Sequence, residues 1–297
     1  MTTDLTITRQ IAAPRSLVWE AWTNTEYLKQ WYMPRPGHFK SLDLDLKPGG
    51  KFDMVMVWEG NELPYEGCVL EVVPGERLAF TDALGEGFKP TTKPFFAAII
   101  TLKDLPDGGT EYTAVARHKD DATAKSHDEM GFQDGWGTCI TQLDGLAQCL
   151  STHKLSERDI ILTRWLPASP AAIWNLYQTK EKIENWWGPR GFTCQTKSFD
   201  FREGGAWIFD MTGPDGKFWP NSHSYKRLIP GQEIRFKMGG VTEDTPKDVV
   251  IDFVAEGDGT RVTQVMTFVS KAERDEVVGW GAVELGYQTL DKLREAL

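Results

Sequence analysis

Cysteine is scarce in this sequence and is not arranged as a metal or redox site. The 297 residues include four cysteines, and no two of them form a C-x-x-C pair, the usual spacing in zinc and thiol-redox sites. They are Cys68, Cys139, Cys149 and Cys194. We therefore expect reduced, buried thiols in a cytoplasmic protein rather than a disulfide framework.

Histidine is also rare, and the common catalytic and nucleotide-binding motifs are missing. The five histidines show no H-x-x-x-H spacing and no clustering with cysteine or acidic residues. The chain has no glycine-rich phosphate loop, no dinucleotide fingerprint and no G-x-S-x-G turn. These absences predict that the protein holds no metal and no cofactor.

Positive charge and long apolar runs are in short supply as well. The chain has 33 basic and 43 acidic residues, a net charge of −10, which would repel nucleic-acid phosphates and anionic lipids. No apolar run approaches the roughly 18 residues of a membrane span. The N-terminus, MTTDLTITRQIAAP, lacks the basic start and apolar stretch of a signal peptide. We expect a soluble, cytoplasmic protein with no nucleic-acid partner and no membrane contact.

What the sequence does have is an internal repeat. Residues of the first half recur in the second half at an offset of 155. The matched pairs are Thr8-Arg9 with Thr163-Arg164, Trp19 with Trp174, Trp31 with Trp186, and Gly49-Gly50 with Gly204-Gly205. A period this long indicates a duplicated domain, since solenoid repeats run roughly 20–50 residues. The repeat predicts two domains, 1–152 and 157–297, joined by a short linker around Ser151–Asp159.

Each copy has the pattern of an α+β unit. A period-2 strand opens it, as in Leu5, Ile7, Arg9 and Ile11, and a proline break and a short helical stretch follow. Alternating strands joined by glycine turns come next. The last element is an amphipathic helix behind an S-x-x-E capping box, at Ser126 and at Ser270. Matching these two boxes gives an offset of 144, which aligns Trp136 with Trp280.

This order of motifs resembles the START-like (SRPBCC) helix-grip superfamily, and within it the activator of heat-shock protein 90 ATPase homologue-like family. The resemblance rests on the Thr-Arg pairs, the Trp-x-x-Pro corner at Trp31 and Pro34, its copy Trp186-Trp187-Gly188-Pro189, and the Gly-Gly turns. It implies two helix-grip domains, each a curved antiparallel sheet around a long C-terminal helix, with an apolar cavity between them. Members of the superfamily bind lipids, hormones and polyketides, and some are cyclases or hydrolases.

Large aromatic and methionine side chains mark the inside of this expected fold. The sequence has 12 Trp, 15 Phe and 8 Met, which suit an apolar cavity or an ordinary core equally well. Trp31 and Trp186 are interpreted as core residues. The candidate cavity residues are Tyr32, Met54, Met56, Trp58, Trp136, Trp187, Trp207, Phe209, Met211, Tyr225 and Trp280, together with Arg9 and Arg164.

The two arginines lie on strands among Leu and Ile, where an unpaired charge is costly. Arg9 and Arg164 either anchor an anionic ligand group, or pair with a carboxylate such as Asp45 or Asp200, or extend their charged heads to the rim. The second and third readings are favoured over a ligand anchor, since a buried arginine is usually paired. His223 and Tyr225 are the one polar pair that could serve catalysis.

Three hypotheses about function remain open from the sequence. The first is a non-catalytic binding protein for a small hydrophobic or aromatic ligand. The second is a cofactor-free cyclase or hydrolase acting on a polyketide-like or aromatic substrate. The third is a chaperone-associated interaction module. A homodimer is a further open alternative.

Overall fold

The computed structural model describes residues 4–153, 155–239 and 246–297. The chain divides into two compact units, Met1–Lys154 and Leu155–Leu297. The division between them falls inside the segment 151–159, which the sequence marks as the linker. In the part of the chain that is described, no helix is both long enough and apolar enough to cross a membrane.

The first domain has a main sheet in the order β1-β10-β9-β6-β5, a second sheet β2-β3-β4 and a small pair β7-β8. The two larger sheets are linked by backbone hydrogen bonds, including Phe52 N to Gly67 O at 3.0 Å. Its elements are β1 (Asp4–Ile11), α1 (Arg15–Thr23), α2 (Thr25–Leu28), β2 (His38–Leu44), β3 (Phe52–Trp58), β4 (Asn61–Tyr65), β5 (Cys68–Val73), β6 (Arg77–Thr81), β7 (Leu84–Gly85), a 3-10 turn (Glu86–Phe88), β8 (Lys89–Pro90), β9 (Ala97–Asp104), β10 (Thr110–Arg117), α3 (Asp121–Glu129) and α4 (Phe132–His153).

The second domain has one continuous antiparallel sheet in the order β11-β17-β16-β15-β14-β13-β12. Its elements are β11 (Asp159–Leu166), α5 (Pro170–Asn175), α6 (Lys180–Trp186), β12 (Thr193–Phe199), β13 (Ala206–Thr212), β14 (Phe218–Ile229), β15 (Glu233–Gly239), β16 (Lys247–Glu256), β17 (Gly259–Thr267), α7 (Lys271–Gly279) and α8 (Ala282–Glu295). Both domains therefore have the predicted α+β helix-grip architecture, with a sheet packed against the C-terminal helix.

The long strand β14 corresponds to two shorter strands, β4 and β5, in the first domain. The interruption is at Gly67, where an added Cβ would lie only 2.5 Å from Cε1 of Tyr65. The Tyr65 ring thus covers the glycine. At an offset of 156 (223 − 67) the second domain has His223 in a continuous strand, and the imidazole is itself buried. The Tyr65 ring in the first domain and the His223 ring in the second therefore occupy corresponding regions, although the two residues are not at equivalent positions.

The closing helices differ from the sequence prediction in their register. Helix α3 begins after Asp120, whose carboxylate accepts a hydrogen bond from Thr123 N at 2.8 Å. Ser126 lies inside this helix, so the capping box predicted there was wrong. Asp120 is as good an N-cap as serine and comes six residues earlier, so it starts the helix first. The box at Ser270 is confirmed, since its hydroxyl accepts from Glu273 N at 3.2 Å.

The correct offset between the closing helices is 150. Helices α3 and α7 begin at Asp121 and Lys271 (271 − 121), and α4 and α8 begin at Phe132 and Ala282 (282 − 132). The predicted alignment of Trp136 with Trp280 was therefore wrong. Trp136 corresponds to Gly286 (286 − 136), and this exchange changes the interior of the second domain.

A second contact supports the same register. The Trp-x-x-Pro corner is tied to the closing helix in both domains by a side chain that donates to its backbone. Gln142 Nε2 donates to Met33 O at 2.8 Å, and Lys292 Nζ donates to Gly188 O at 3.0 Å. The offset between these donors is again 150 (292 − 142).

Trp31 and Trp186 are core residues, as predicted from the sequence. Their exposed fractions are 0% and 1%. Each indole donates to a carbonyl ten residues earlier, Trp31 to Ala21 O at 2.9 Å and Trp186 to Leu176 O at 3.2 Å. These bonds satisfy the polar atom of a large buried ring and fix the two short helices of each domain to one another.

Candidate functional site

The second domain contains a cleft of about 530 Å³ between the sheet and helices α7 and α8, partly open to solvent. This is within the size range of small-molecule pockets, roughly 300–1,000 Å³. The sheet contributes Leu162, Met211, Met238, Gln264, Met266 and Phe268. The helices contribute Val277, Ala282, Leu285, Gly286, Thr289 and Leu290. Trp186, Trp187 and Trp219 also line the cleft, so its walls are mainly apolar, with aliphatic, thioether and aromatic side chains.

The Trp-Trp-Gly-Pro corner forms one end of the cleft. Trp187 lies against Trp186 and Trp207, with ring centroids 5.3 Å apart in both pairs. Gly188 has φ +98°, and an added Cβ would lie 2.8 Å from Cε of Met211. Glycine is needed here because it adopts this backbone conformation without strain and lets the corner approach β13 closely.

Two helix positions explain why this space is open in the second domain. Where α8 has Ala282 and Gly286, the first domain has Phe132 and Trp136 on α4. The Trp136 ring lies 6.1 Å from the Phe132 ring, and its Nε1 donates to the Tyr112 hydroxyl at 3.3 Å. Two aromatic side chains thus occupy space between helix and sheet that alanine and glycine leave free.

Two sheet positions change in the same direction. Asn221 on β14 corresponds to Tyr65 at an offset of 156 (221 − 65). Lys247 on β16 corresponds to Phe96. Ile251 pairs with β15 at the place where Ile100 pairs with β6, so the offset along this strand is 151 (251 − 100).

In the first domain the rings at these two positions are part of one aromatic cluster. The rings of Tyr65 and Phe96 are 6.5 Å apart, and Phe96 is 5.5 Å from His127. Four ring-bearing positions of the first domain are therefore occupied by Asn221, Lys247, Ala282 and Gly286 in the second.

Gly286 has a second effect, on the distance between α8 and the sheet. A Cβ added to it would lie 2.3 Å from Cδ1 of Leu162, far inside van der Waals contact. The Leu162 side chain therefore packs against the helix backbone itself. The cleft is bounded at this point by a close contact between helix and strand rather than by a side chain of α8.

The predicted cavity residues of the second domain fall into three groups. Trp187 and Met211 line the cleft. Trp207 and Phe209 are fully buried and stacked, with ring centroids 3.8 Å apart, and Tyr225 is 3% exposed in the same core. Trp280 is 68% exposed at the end of α7, so its predicted place in the cavity was wrong.

The reason for the Trp280 error is the helix register. With an offset of 150, Trp280 corresponds to Met130, which is 64% exposed at the end of α3. The two positions thus share an outward orientation between the two C-terminal helices.

The predicted residues of the first domain lie in and around its aromatic interior. Tyr32 contacts the rings of Trp22 and Trp136 at 5.4 and 5.9 Å, and burial raises the pKa of its hydroxyl well above the ordinary value. Met54 is buried, whereas Met56 and Trp58 are half-buried along the same strand. Contact of these residues with a ligand stays a prediction.

The two arginines differ in their environments. Arg164 Nε is 3.1 Å from Asp291 Oδ1, and its guanidinium lies 4.3 Å from the centroid of the Tyr287 ring. Arg164 is thus paired with a carboxylate, although not with Asp200 as predicted. Arg9 is exposed, and its Nη1 donates to Thr8 O at 2.9 Å. Arg9 is thus not paired with Asp45 in the described part of the chain; its position is that of a head group that has reached solvent, the third reading.

The candidate catalytic pair does not face the cleft. His223 is 2% exposed, and its ring stacks on Phe236 with centroids 4.4 Å apart. Burial lowers the pKa of His223 to about 3, so the imidazole is neutral at physiological pH. His223 and Tyr225 are not among the residues that line the cleft. The His223 ring packs instead against Trp207, Phe209 and Phe236 in the core.

The lining of the cleft carries little charge. Among the described lining residues Lys247 is the charged one, and its Nζ lies 3.2 Å from Glu273 Oε1. Burial raises the pKa of the Cys139 and Cys194 thiols to about 12, which keeps them protonated and weakly nucleophilic.

Comparison with protein families gives a match over most of the chain. The model described as "Activator of Hsp90 ATPase homolog 1-like protein" matches residues 12–148 and again residues 167–297. The chain belongs to this family. The two matched segments confirm the tandem duplication, and the family's helix-grip fold is the one seen in each domain.

The chain is also similar to several solved structures. A protein from Nitrosomonas europaea is 42% identical, covering 50% of this chain and 97% of its own, with a TM-score of 0.49. A protein from Mycobacterium smegmatis is 23% identical over 47% of this chain and 90% of its own, with a TM-score of 0.43. The di-domain ARO/CYC BexL from the BE-7585A biosynthetic pathway is 12% identical over 99% of this chain and 98% of its own, with a TM-score of 0.38. No curated protein matches the sequence.

Three residues that make the interior of the second domain differ from that of the first were not predicted from the sequence. Ala282 and Gly286 were hidden by the wrong helix offset. Gln264 was overlooked although its signal is visible, because it stands on the same strand face as Val262 and Met266 and interrupts an apolar row.

Sequence reasoning also missed a histidine pair in the first domain. His118 Nε2 lies 2.8 Å from His127 Nδ1, and the rings of Phe95 and Phe132 lie 4.9 and 5.1 Å from that of His127. Burial, with a further contribution from His118, lowers the pKa of His127 to about 4. The pair can form its hydrogen bond while both rings are neutral, one as donor and one as acceptor.

Proposed function

We propose that the protein is a non-catalytic binding protein that takes one small apolar or aromatic molecule in the cleft of its second domain. The observation that carries this proposal is the exchange of Phe132 and Trp136 for Ala282 and Gly286. These substitutions leave a partly open, mainly apolar space at the place where the first domain has rings.

The lining chemistry supports binding over catalysis. Lys247, the charged group among the described lining residues, is already paired with Glu273. General acid–base catalysis needs a group within hydrogen-bond reach of the substrate and with a pKa near the working pH. His223 is buried away from the cleft and has a pKa of about 3. The chaperone-associated alternative stays a prediction.

The binding test uses 2-methylnaphthalene and isothermal titration calorimetry on the full chain. We expect a dissociation constant of about 100 µM, which corresponds to about 0.5 kcal/mol for each heavy atom of the probe and is ordinary for a small ligand. The substitution Ala282→Phe installs the ring of the first domain and should weaken binding at least about tenfold, since the ring occupies the ligand's space.

The matched control is Glu284→Phe, which places the same ring on the exposed side of α8. This variant should bind the probe as the unsubstituted protein does. Equal binding by the Ala282→Phe variant would show that the cleft is not the site, and the absence of any binding to the unsubstituted protein would overturn the proposed function.

A further inference from the structure

Gln264 is the polar residue in the middle of an apolar patch of the cleft wall. Its neighbours across the sheet are Leu162 on β11 and Ile251 on β16. Along β17 the same face continues with Val262 and Met266. All four neighbours are buried, with exposed fractions of 7% or less. The amide of Gln264 is thus surrounded by hydrocarbon and thioether groups and opens onto the cleft.

The amide group makes no hydrogen bond within the described residues. Asn221, the other amide of the cleft, does: its Nδ2 donates to Trp219 O at 2.8 Å. Neither of its polar atoms is sealed from solvent, so the amide is free to bond to a ligand group in the cleft. The first domain has no such group, because the equivalent position is Ala114 (264 − 114 = 150), between Ile7 and Ile100 in the same register.

Charge at the cleft argues for a neutral ligand. The Lys247 side chain is 17% exposed, and its ammonium is paired with Glu273 at 3.2 Å. The other oxygen of Glu273 accepts from Val269 N at 3.1 Å and so holds the start of α7. A carboxylate ligand would have to compete with Glu273 for Lys247, whereas a hydroxyl or keto group on the ligand can bond directly to Gln264.

We propose that Gln264 is a specificity-determining residue, which makes the cleft selective for neutral apolar molecules bearing a hydroxyl or keto oxygen. This inference rests on the proposed function and names the ligand class for the same site. The amide both donates and accepts, so either oxygen group completes its hydrogen bonding inside the apolar wall.

The test compares three probes of one ring system on the full chain by calorimetry: 2-methylnaphthalene, 2-naphthol and 2-naphthoate. The unsubstituted protein should bind 2-naphthol about tenfold more tightly than 2-methylnaphthalene, the effect of one hydrogen bond to a partly buried amide. It should bind 2-naphthoate no more tightly than 2-methylnaphthalene. In Gln264→Met the preference for 2-naphthol should fall to twofold or less, while the affinity for 2-methylnaphthalene is retained.

A second variant and a matched control keep the test decisive. Gln264→Leu should behave as Gln264→Met does. Gln195→Met changes a solvent-facing glutamine on β12 of the same domain and should keep the full preference. Equal binding of 2-naphthol and 2-methylnaphthalene by the unsubstituted protein would overturn this inference but leave the proposed function standing. So would a preference that survives in both Gln264 variants, or tightest binding of 2-naphthoate. Failure of every probe to bind would overturn both.

Discussion

The buried imidazole of His223 should make the stability of the second domain depend on pH in the acid range. Burial lowers the pKa of His223 to about 3, from an ordinary value of 6.5. Below pH 6.5 the unfolded chain takes up a proton at this residue, whereas the folded domain does not until about pH 3. The stability that neutral His223 provides is thus fully present above pH 6.5 and is lost as the pH falls from 6.5 towards 3.

The substitution His223→Phe removes this titration and keeps a ring on Phe236, from which the imidazole is 4.4 Å away. At about pH 5, roughly 1.5 pH units below the ordinary value, the His223 proton costs about 2 kcal/mol at about 1.36 kcal/mol per pH unit. Between about pH 7.5 and about pH 5 the unsubstituted second domain should lose about 2 kcal/mol more than the variant. At neutral pH the two should differ by less than about 1.5 kcal/mol, as for other volume-conserving swaps.

The assay is hydrogen exchange with mass spectrometry on peptides from β14 and β15, because both domains contain tryptophan and fluorescence would not separate them. Protonation of surface carboxylates affects both proteins equally and cancels in the comparison. Identical loss of stability in the two proteins over this pH range would refute the reasoning. It would show that His223 is protonated in the folded state and so is not sealed in the core.

Three further predictions concern stability, each measured by urea denaturation. Gly286→Ala should lower the free energy of unfolding by about 1 kcal/mol, because the added Cβ clashes with Leu162. In a Leu162→Ala background the clash is removed, and the same substitution should raise the free energy of unfolding by about 1 kcal/mol through the higher helix propensity of alanine. An effect of the same sign in both backgrounds would contradict this. Gln264→Met should stabilise the ligand-free second domain by about 1 kcal/mol, because it replaces an amide among buried apolar neighbours with an apolar side chain that packs against them. Destabilisation would show that the wall around this position is not apolar. Gln142→Ala should lower the free energy of unfolding by about 3 kcal/mol, because it leaves the carbonyls of Trp31 and Met33 without their hydrogen-bond donor. A loss below about 1 kcal/mol would show that water replaces the amide.

Much of the fold is predictable because local signals agree with one another. The strand β1 follows the alternation of Leu5 and Ile7 with polar neighbours, and the hairpin after β2 follows from Gly49-Gly50. Asn24, a residue type common at helix N-termini, caps α2 by accepting from Glu26 N at 3.0 Å. Duplication strengthens the strand and Gly-Gly turn signals, since both are repeated at the 155-residue offset.

The register of the closing helices could not be read in the same way. Ser126 and Asp120 are both good caps, and the sequence alone does not say which one meets the unsatisfied amides first. A cap at Ser126 gives an offset of 144 between the closing helices of the two domains, whereas the observed cap at Asp120 gives 150. A difference of six residues is nearly two helical turns and replaces one set of interior positions with another.

Candidate site residues were harder still, because side-chain direction depends on packing. Tyr225 and His223 are on one strand face with Trp207 opposite, and from sequence this face could as well line a cavity as fill a core. In the structure the rings of this face stack on one another and leave the open space nearer to α8. The cleft arises from small residues, Ala282 and Gly286, and small residues give a weak sequence signal.

The central claim is that the second domain, and not the first, holds the ligand in a cleft beneath α8. The most direct test uses ¹³C-methyl methionine NMR, since Met211, Met238 and Met266 line the cleft while Met54 and Met56 lie in the first domain. Addition of 2-methylnaphthalene should shift the three cleft methyls and give intermolecular NOEs to them, with Met54 and Met56 unchanged. Shifts confined to Met54 and Met56, or no response from the cleft methyls at saturating probe, would contradict the account.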